Sequence, residues 1–80
     1  MPYTVYSKKN CSYCNNIKKV LTGLGESYIE LTLDRNFTKE DFIRKFGYGA
    51  SFPRIMEGDQ LIGGANETIM HLRQKGLLWK

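Results

Sequence analysis

The sequence predicts an α/β domain in the order βαβαββα, with one mixed four-stranded sheet flanked by three helices. Two observations carry that prediction. Tyr3-Thr4-Val5-Tyr6 and Ser27 to Leu33 read as strands separated by a helical stretch. Such strands pair in parallel through a right-handed crossover. Further on, Arg54-Ile55-Met56 and Leu61-Ile62 read as short strands joined through Glu57-Gly58-Asp59-Gln60. Gly58-Asp59 suits a two-residue hairpin turn, which makes this second pair antiparallel.

Each element has its own local reason. After the first strand, Ser7-Lys8-Lys9-Asn10 forms a polar loop. The first helix is expected from about Cys11 to Thr22. Cys14, Ile17, Val20, Leu21 and Leu24 follow three/four spacing, while Lys18 and Lys19 lie on the other side. Gly23 is its expected stop. The strand Ser27 to Leu33 alternates, with Ile29, Leu31 and Leu33 expected on the buried face and Tyr28, Glu30 and Thr32 opposite. Thr38-Lys39-Glu40-Asp41 resembles a helix-start cap. Phe42, Ile43 and Phe46 form the apolar stripe that follows, and Gly47 ends it. Gly49-Ala50-Ser51-Phe52-Pro53 is a loop. Gly63-Gly64 breaks the fourth strand. Asn66 is the expected N-cap of a last helix carrying Ile69, Met70 and Leu72 and stopping at Gly76.

Residues 1–80 are enough for one small domain with a modest core, in which roughly 60% of the unfolded surface is buried. A hydrophobic fraction of 41% and a charged fraction of 25% are ordinary for a soluble protein. No apolar run approaches the roughly 20 residues of a membrane span. Met1-Pro2-Tyr3-Thr4-Val5-Tyr6 lacks the apolar stretch of a secretory signal, so a cytoplasmic location is expected. The formal net charge of +4 suits a basic soluble surface or attraction to an anionic partner, and charge alone does not choose between them.

Cys11-Ser12-Tyr13-Cys14 sits where the first strand gives way to the first helix. A zinc site needs four ligands, and this chain offers one cysteine pair and a single histidine, His71. A static disulfide over so short a loop adds little stability and suits the cytoplasm poorly. A redox pair remains, the recognised reading of Cys-x-x-Cys near a βαβ pattern. A thiol at a helix start faces unpaired N–H groups and the positive end of the helix dipole. Both favour the thiolate, lowering its pKa from about 8.5 into or below the neutral range. Cys14 lies one turn in on the same face, more buried and less acidic. Cys11 is therefore the expected nucleophile toward a disulfide sulfur, and Cys14 the thiol that resolves the mixed disulfide.

Lys8-x-x-Cys11-Ser12-Tyr13-Cys14, then Ser51-Phe52-Pro53, then Gly63-Gly64 before a capped helix, resembles a short dithiol glutaredoxin of bacterial or bacteriophage type over nearly the whole chain. The resemblance implies a thioredoxin-like fold and a glutathione-dependent thiol–disulfide oxidoreductase acting through Cys11 and Cys14. It implies that Lys8 pairs with the glycine carboxylate of glutathione and that Tyr13 lines the groove. Phe52 would offer backbone hydrogen bonds to the cysteinyl part, and Pro53 would be cis. Gly64, Ala65 and Asn66 would hold the γ-glutamyl end at a helix N-terminus. Expected partners are glutathione and disulfide-containing or glutathionylated proteins, with ribonucleotide reductase a client by family analogy and a monomer the expected state.

The chain also departs from the family pattern. Ser12 replaces proline of Cys-Pro-Tyr-Cys, Ser51-Phe52-Pro53 replaces Thr-Val-Pro, and Ala65-Asn66 stands where Cys-Asp is frequent. Gly47-Tyr48-Gly49-Ala50 supplies no Arg or Gln before the proline loop. Ser12 resembles members that bind a [2Fe–2S] cluster between two chains with two glutathiones, an alternative that the single chain's two cysteines require to be dimeric. A second alternative is a redoxin of the same fold recharged by thioredoxin reductase. No metal site, membrane association or nucleic-acid partner is expected, since the basic residues and aromatics are scattered without a recognisable binding motif.

Overall fold

Alternation along the first strand sets the frame. Tyr3, Val5 and Ser7 are buried while Thr4 and Tyr6 are half-buried, as in a central strand covered more heavily on one face. The computed structural model describes residues 3–76; of the predicted 1–80 domain, Met1-Pro2 and 77–80 lie outside the described residues. The elements are β1 (Tyr3–Ser7), α1 (Ser12–Gly23), β2 (Tyr28–Thr32), α2 (Lys39–Phe46), β3 (Arg54–Glu57), β4 (Gln60–Gly63) and α3 (Ala65–Gln74). β1 pairs in parallel with β2, from Tyr3 opposite Tyr28 to Ser7 opposite Thr32. It pairs antiparallel with β3, which in turn pairs antiparallel with β4. The sheet order is β2-β1-β3-β4, the mixed sheet that the sequence predicts.

Tyr3, Val5 and Ile55 on the sheet pack with Ile17 and Leu21 of α1 and Leu72 of α3 in one cluster. Burying an aliphatic side chain of this size stabilises the fold by roughly 1.5–3 kcal/mol. The three/four stripe of α1 is the one read from sequence: Cys14, Ile17 and Leu21 are buried, and Val20 and Leu24 pack partly against the core. At the other face, Tyr6 meets Phe37 and Phe46 edge-on at 5.4 and 5.0 Å, joining α2 to the end of β1.

β2 corrects the sequence reading. Ile29 is 56% exposed, and Tyr28 packs against the core instead. The parallel register is the reason. It puts Tyr28, Glu30 and Thr32 on the side of Tyr3, Val5 and Ser7, facing α1. Glu30 is tolerated there because its Oε2 accepts from Ser7 Oγ and from Lys18 Nζ, each at 2.7 Å.

α2 starts as predicted. Thr38 Oγ1 accepts from Asp41 N–H at 3.1 Å, and Asp41 Oδ2 accepts from Thr38 N–H at 3.0 Å. Gly47, at φ 94°, ends the helix in a conformation that other residues adopt poorly.

α3 starts earlier than expected: Gly64 is its N-cap, and Asn66 lies inside its first turn. Glu67 makes this start possible, since its Oε1 accepts from Gly64 N–H at 3.0 Å. The same side chain explains Gly63. Its φ is 133°, and a Cβ there would stand 2.9 Å from Glu67 Cβ. This need for glycine is therefore internal to the fold.

The other half of α3 is tied to β3 through one carboxylate. Glu57 accepts from Lys75 Nζ at 2.7 Å and meets His71 Nε2 at 2.9 Å. The Lys75 hydrogen bond, with help from His71 and against partial burial, holds Glu57 below the ordinary glutamate range. A carboxylate whose folded pKa is depressed adds stability above its unfolded value, and that stability is lost as pH falls through the folded one. The unfolding midpoint should therefore fall as pH drops below about 4.3, the ordinary glutamate value. Glu57→Gln should lower the midpoint at pH 7, with the gap to the wild type closing in acid. Thermal melts across that range check this, and parallel curves for the two proteins would refute it.

Candidate active site

The end of β1 and the start of α1 hold the cysteines. Cys11 is the N-cap of α1, with extended backbone angles (φ −118°, ψ 103°), one position ahead of the first helical residue. Its Sγ accepts from Cys14 N–H at 3.1 Å, the hydrogen bond that an N-cap side chain makes. The sequence places Cys11 at the helix start, and the structure makes it the cap, which points its sulfur at the free N–H groups of the first turn. The two Cα atoms are 5.2 Å apart and the sulfurs form a disulfide. Cys11 keeps 8% of its surface exposed and Cys14 none, so the exposure order matches the sequence reading, although Cys11 is more covered than expected. In the reduced form, the same cap geometry and the dipole of the 12-residue α1 stabilise a thiolate on Cys11. A buried Cys14 enjoys neither.

Beside the pair lies a groove of about 240 Å³. Tyr13, 61% exposed between the cysteines, forms part of its wall. Phe52 and Pro53 contribute from the loop before β3; Gly64, Ala65 and Asn66 contribute from the start of α3. Six of the seven non-cysteine site residues named from sequence thus converge on one hollow. The Phe52–Pro53 peptide bond is cis, as the family resemblance implies. Thr68 N–H makes the first intrahelical bond of α3, to Gly64 O at 3.0 Å, so the N–H groups of Ala65, Asn66 and Glu67 precede the helical ladder at the groove. An anionic group is favoured there by the helix dipole as well.

Lys8, the seventh, is exposed and does not line the hollow; its Nζ lies 5.5 Å from the centre of the Phe52 ring. Two lining residues were missed from sequence. Ser51 reads only as loop, whereas Glu67 has a sequence signal, an acidic residue three positions after the Gly64 cap. A larger hollow, about 480 Å³ between Lys18, Lys19 and Tyr28, contains none of the named site residues. Among the described residues, no three His, Cys, Asp or Glu side chains are grouped to hold a metal. An iron–sulfur cluster needs four thiolates, and the chain's two cysteines cannot complete one alone.

A thioredoxin-like sheet with a cysteine pair at the first helix start is the apparatus of a thiol–disulfide oxidoreductase. Residues 3–62 match the glutaredoxin family model. Glutaredoxin 3 of Escherichia coli strain K12 is 33% identical over 63 residues, which cover 79% of this chain and 76% of that one. The crystal structure of a wheat glutaredoxin superposes with a TM-score of 0.75 at 29% identity, over 95% of this chain and 75% of that one. A buckwheat glutaredoxin–glutathione complex also gives a TM-score of 0.75, at 28% identity, over 96% of this chain and 72% of that one. The chain belongs to the glutaredoxin family.

Proposed function

We propose that this chain reduces protein disulfides and glutathione mixed disulfides with electrons from glutathione. One observation carries the reading: Tyr13, which lies between the two cysteines in sequence and adjoins Cys14, walls a groove that Phe52, Pro53 and the start of α3 complete. A glutathione whose sulfur meets Cys11 finds there the Phe52 backbone for its cysteinyl part. Its γ-glutamyl carboxylate finds the N–H groups at the start of α3. Lys8 takes the glycine carboxylate at the other end.

The chemistry is thiol–disulfide exchange. The Cys11 thiolate attacks a substrate disulfide; as the Cys11–substrate S–S bond forms, the substrate's own S–S bond breaks, and its other sulfur is released as a thiolate. Cys14, losing its proton, then attacks Cys11 and releases the second substrate thiol, which leaves a Cys11–Cys14 disulfide. Two glutathiones restore the dithiol and depart as one glutathione disulfide. With a glutathionylated protein, Cys11 takes the glutathione sulfur directly, and a second glutathione removes it. Cys14 is not needed on that route. The protein acts as a monomer in the cytoplasm, serving cell redox homeostasis as an electron carrier. Ribonucleotide reductase is a candidate client on family analogy.

A glutathione-coupled disulfide reduction assay tests the reading. Turnover should saturate with glutathione and be slow with thioredoxin reductase as sole electron source. The reverse preference would replace the reading with that of a thioredoxin-reductase-dependent redoxin.

A further inference from the structure

The Phe52 side chain makes contacts that its place in the groove does not by itself require. Its ring stacks on Phe42 of α2, with centroids 4.1 Å apart and planes 15° apart. Phe37 lies near-parallel at 6.2 Å from Phe52 and 5.8 Å from Phe42. Phe42 is 3% exposed, so the stack rests on a fixed base. Over the Phe52 ring sits the Lys8 ammonium, 5.5 Å from its centre and inside the range of a cation–π contact. Among the described residues, no carboxylate pairs with Lys8. Lys8 hangs from the loop that leads from β1 to Cys11, while Phe52 lines the groove.

We infer that Phe52 is a positioning residue: held by the Phe42 stack, its aromatic face keeps the Lys8 ammonium beside the groove to receive the distal carboxylate of glutathione. An unrestrained lysine samples many rotamers and loses that freedom on binding. A lysine already resting on a ring loses less, which favours binding. The inference rests on the glutathione reading above and deepens it, by assigning to a side chain what that reading gives only to the Phe52 backbone.

A double-mutant cycle decides it, using the full chain and glutathione as the varied substrate. Lys8→Met should raise KM about five-fold. Phe52→Leu should raise it about two- to five-fold, the size of an exposed cation–π contact. The double variant should match Lys8→Met alone, because leucine leaves no aromatic face to lose once the cation is gone. Saturated turnover should stay within about two-fold throughout, since no group at the reacting sulfurs changes. Phe52→Tyr should behave as the wild type. Replacing Phe52 by trifluorophenylalanine, which keeps ring size but weakens the π face, should reproduce Phe52→Leu even if the leucine variant folds poorly. Multiplying effects in the double variant, or an unchanged KM in either single variant, would overturn the assignment. Those failures differ from failure of the glutathione reading, which would appear as a wild type that glutathione does not turn over.

Discussion

Cys11→Ser will abolish both disulfide reduction and deglutathionylation, whereas Cys14→Ser will lose the first and keep the second. The asymmetry follows from position. Cys11 caps α1 and retains some surface; Cys14, one turn into α1, has none. Only Cys11 can meet an incoming sulfur. A serine hydroxyl stays protonated at neutral pH and is a poor nucleophile without a base, so the loss should be on the order of a thousand-fold or more. Cys14→Ser removes only the step that resolves a mixed disulfide with protein. Glutathione in solution resolves a glutathionylated Cys11 instead, so that route should retain activity of the wild-type order. Steady-state assays with a peptide disulfide and with a glutathionylated protein separate the two. Equal losses on both substrates for both variants would reject the division of roles.

The second large effect is on stability. Leu72→Ala should destabilise the domain by about 2–5 kcal/mol, because it empties a fully buried site between α3, α1 and the sheet. Domains of this size have few kilocalories to lose, so much of the population should be unfolded at 37 °C. Met70→Ala, two residues away on the same helix, provides the contrast. Met70 is 54% exposed, and its truncation should change stability by about 0.5 kcal/mol or less. Denaturant titration of both variants checks the pair; similar losses would show that α3 is seated differently. The consequence reaches the site, since the start of α3 forms one side of the groove.

Patterns that depend on neighbours along the chain were legible in the sequence. The α1 stripe, the Thr38–Asp41 box, the Gly58-Asp59 turn and the end of α2 at Gly47 all appear where the residues indicate. The buried side of β2 was not legible. Its alternation shows two faces, but which of them meets α1 is decided by pairing with β1, a long-range register. The start of α3 was misplaced for a similar reason. Asn66 is a good cap by type, yet Gly64 takes the role because Glu67 returns its carboxylate to the Gly64 N–H. At the site, the cysteine pair announced its chemistry through spacing alone. The groove residues came from a family resemblance, and the structure brings them together. The contact of Lys8 with Phe52 joins residues far apart in the sequence, beyond the reach of any local pattern.

The chemistry turns on Cys11, as the cap of α1, being a thiolate at neutral pH. The pH dependence of iodoacetamide alkylation of the reduced protein, with the modified cysteine located by peptide mapping, tests it most directly. Modification should fall on Cys11 with a midpoint well below the ~8.5 of a free thiol, and reaction should already be rapid near pH 6. A midpoint close to that of a free thiol, or modification falling first on Cys14, would contradict it.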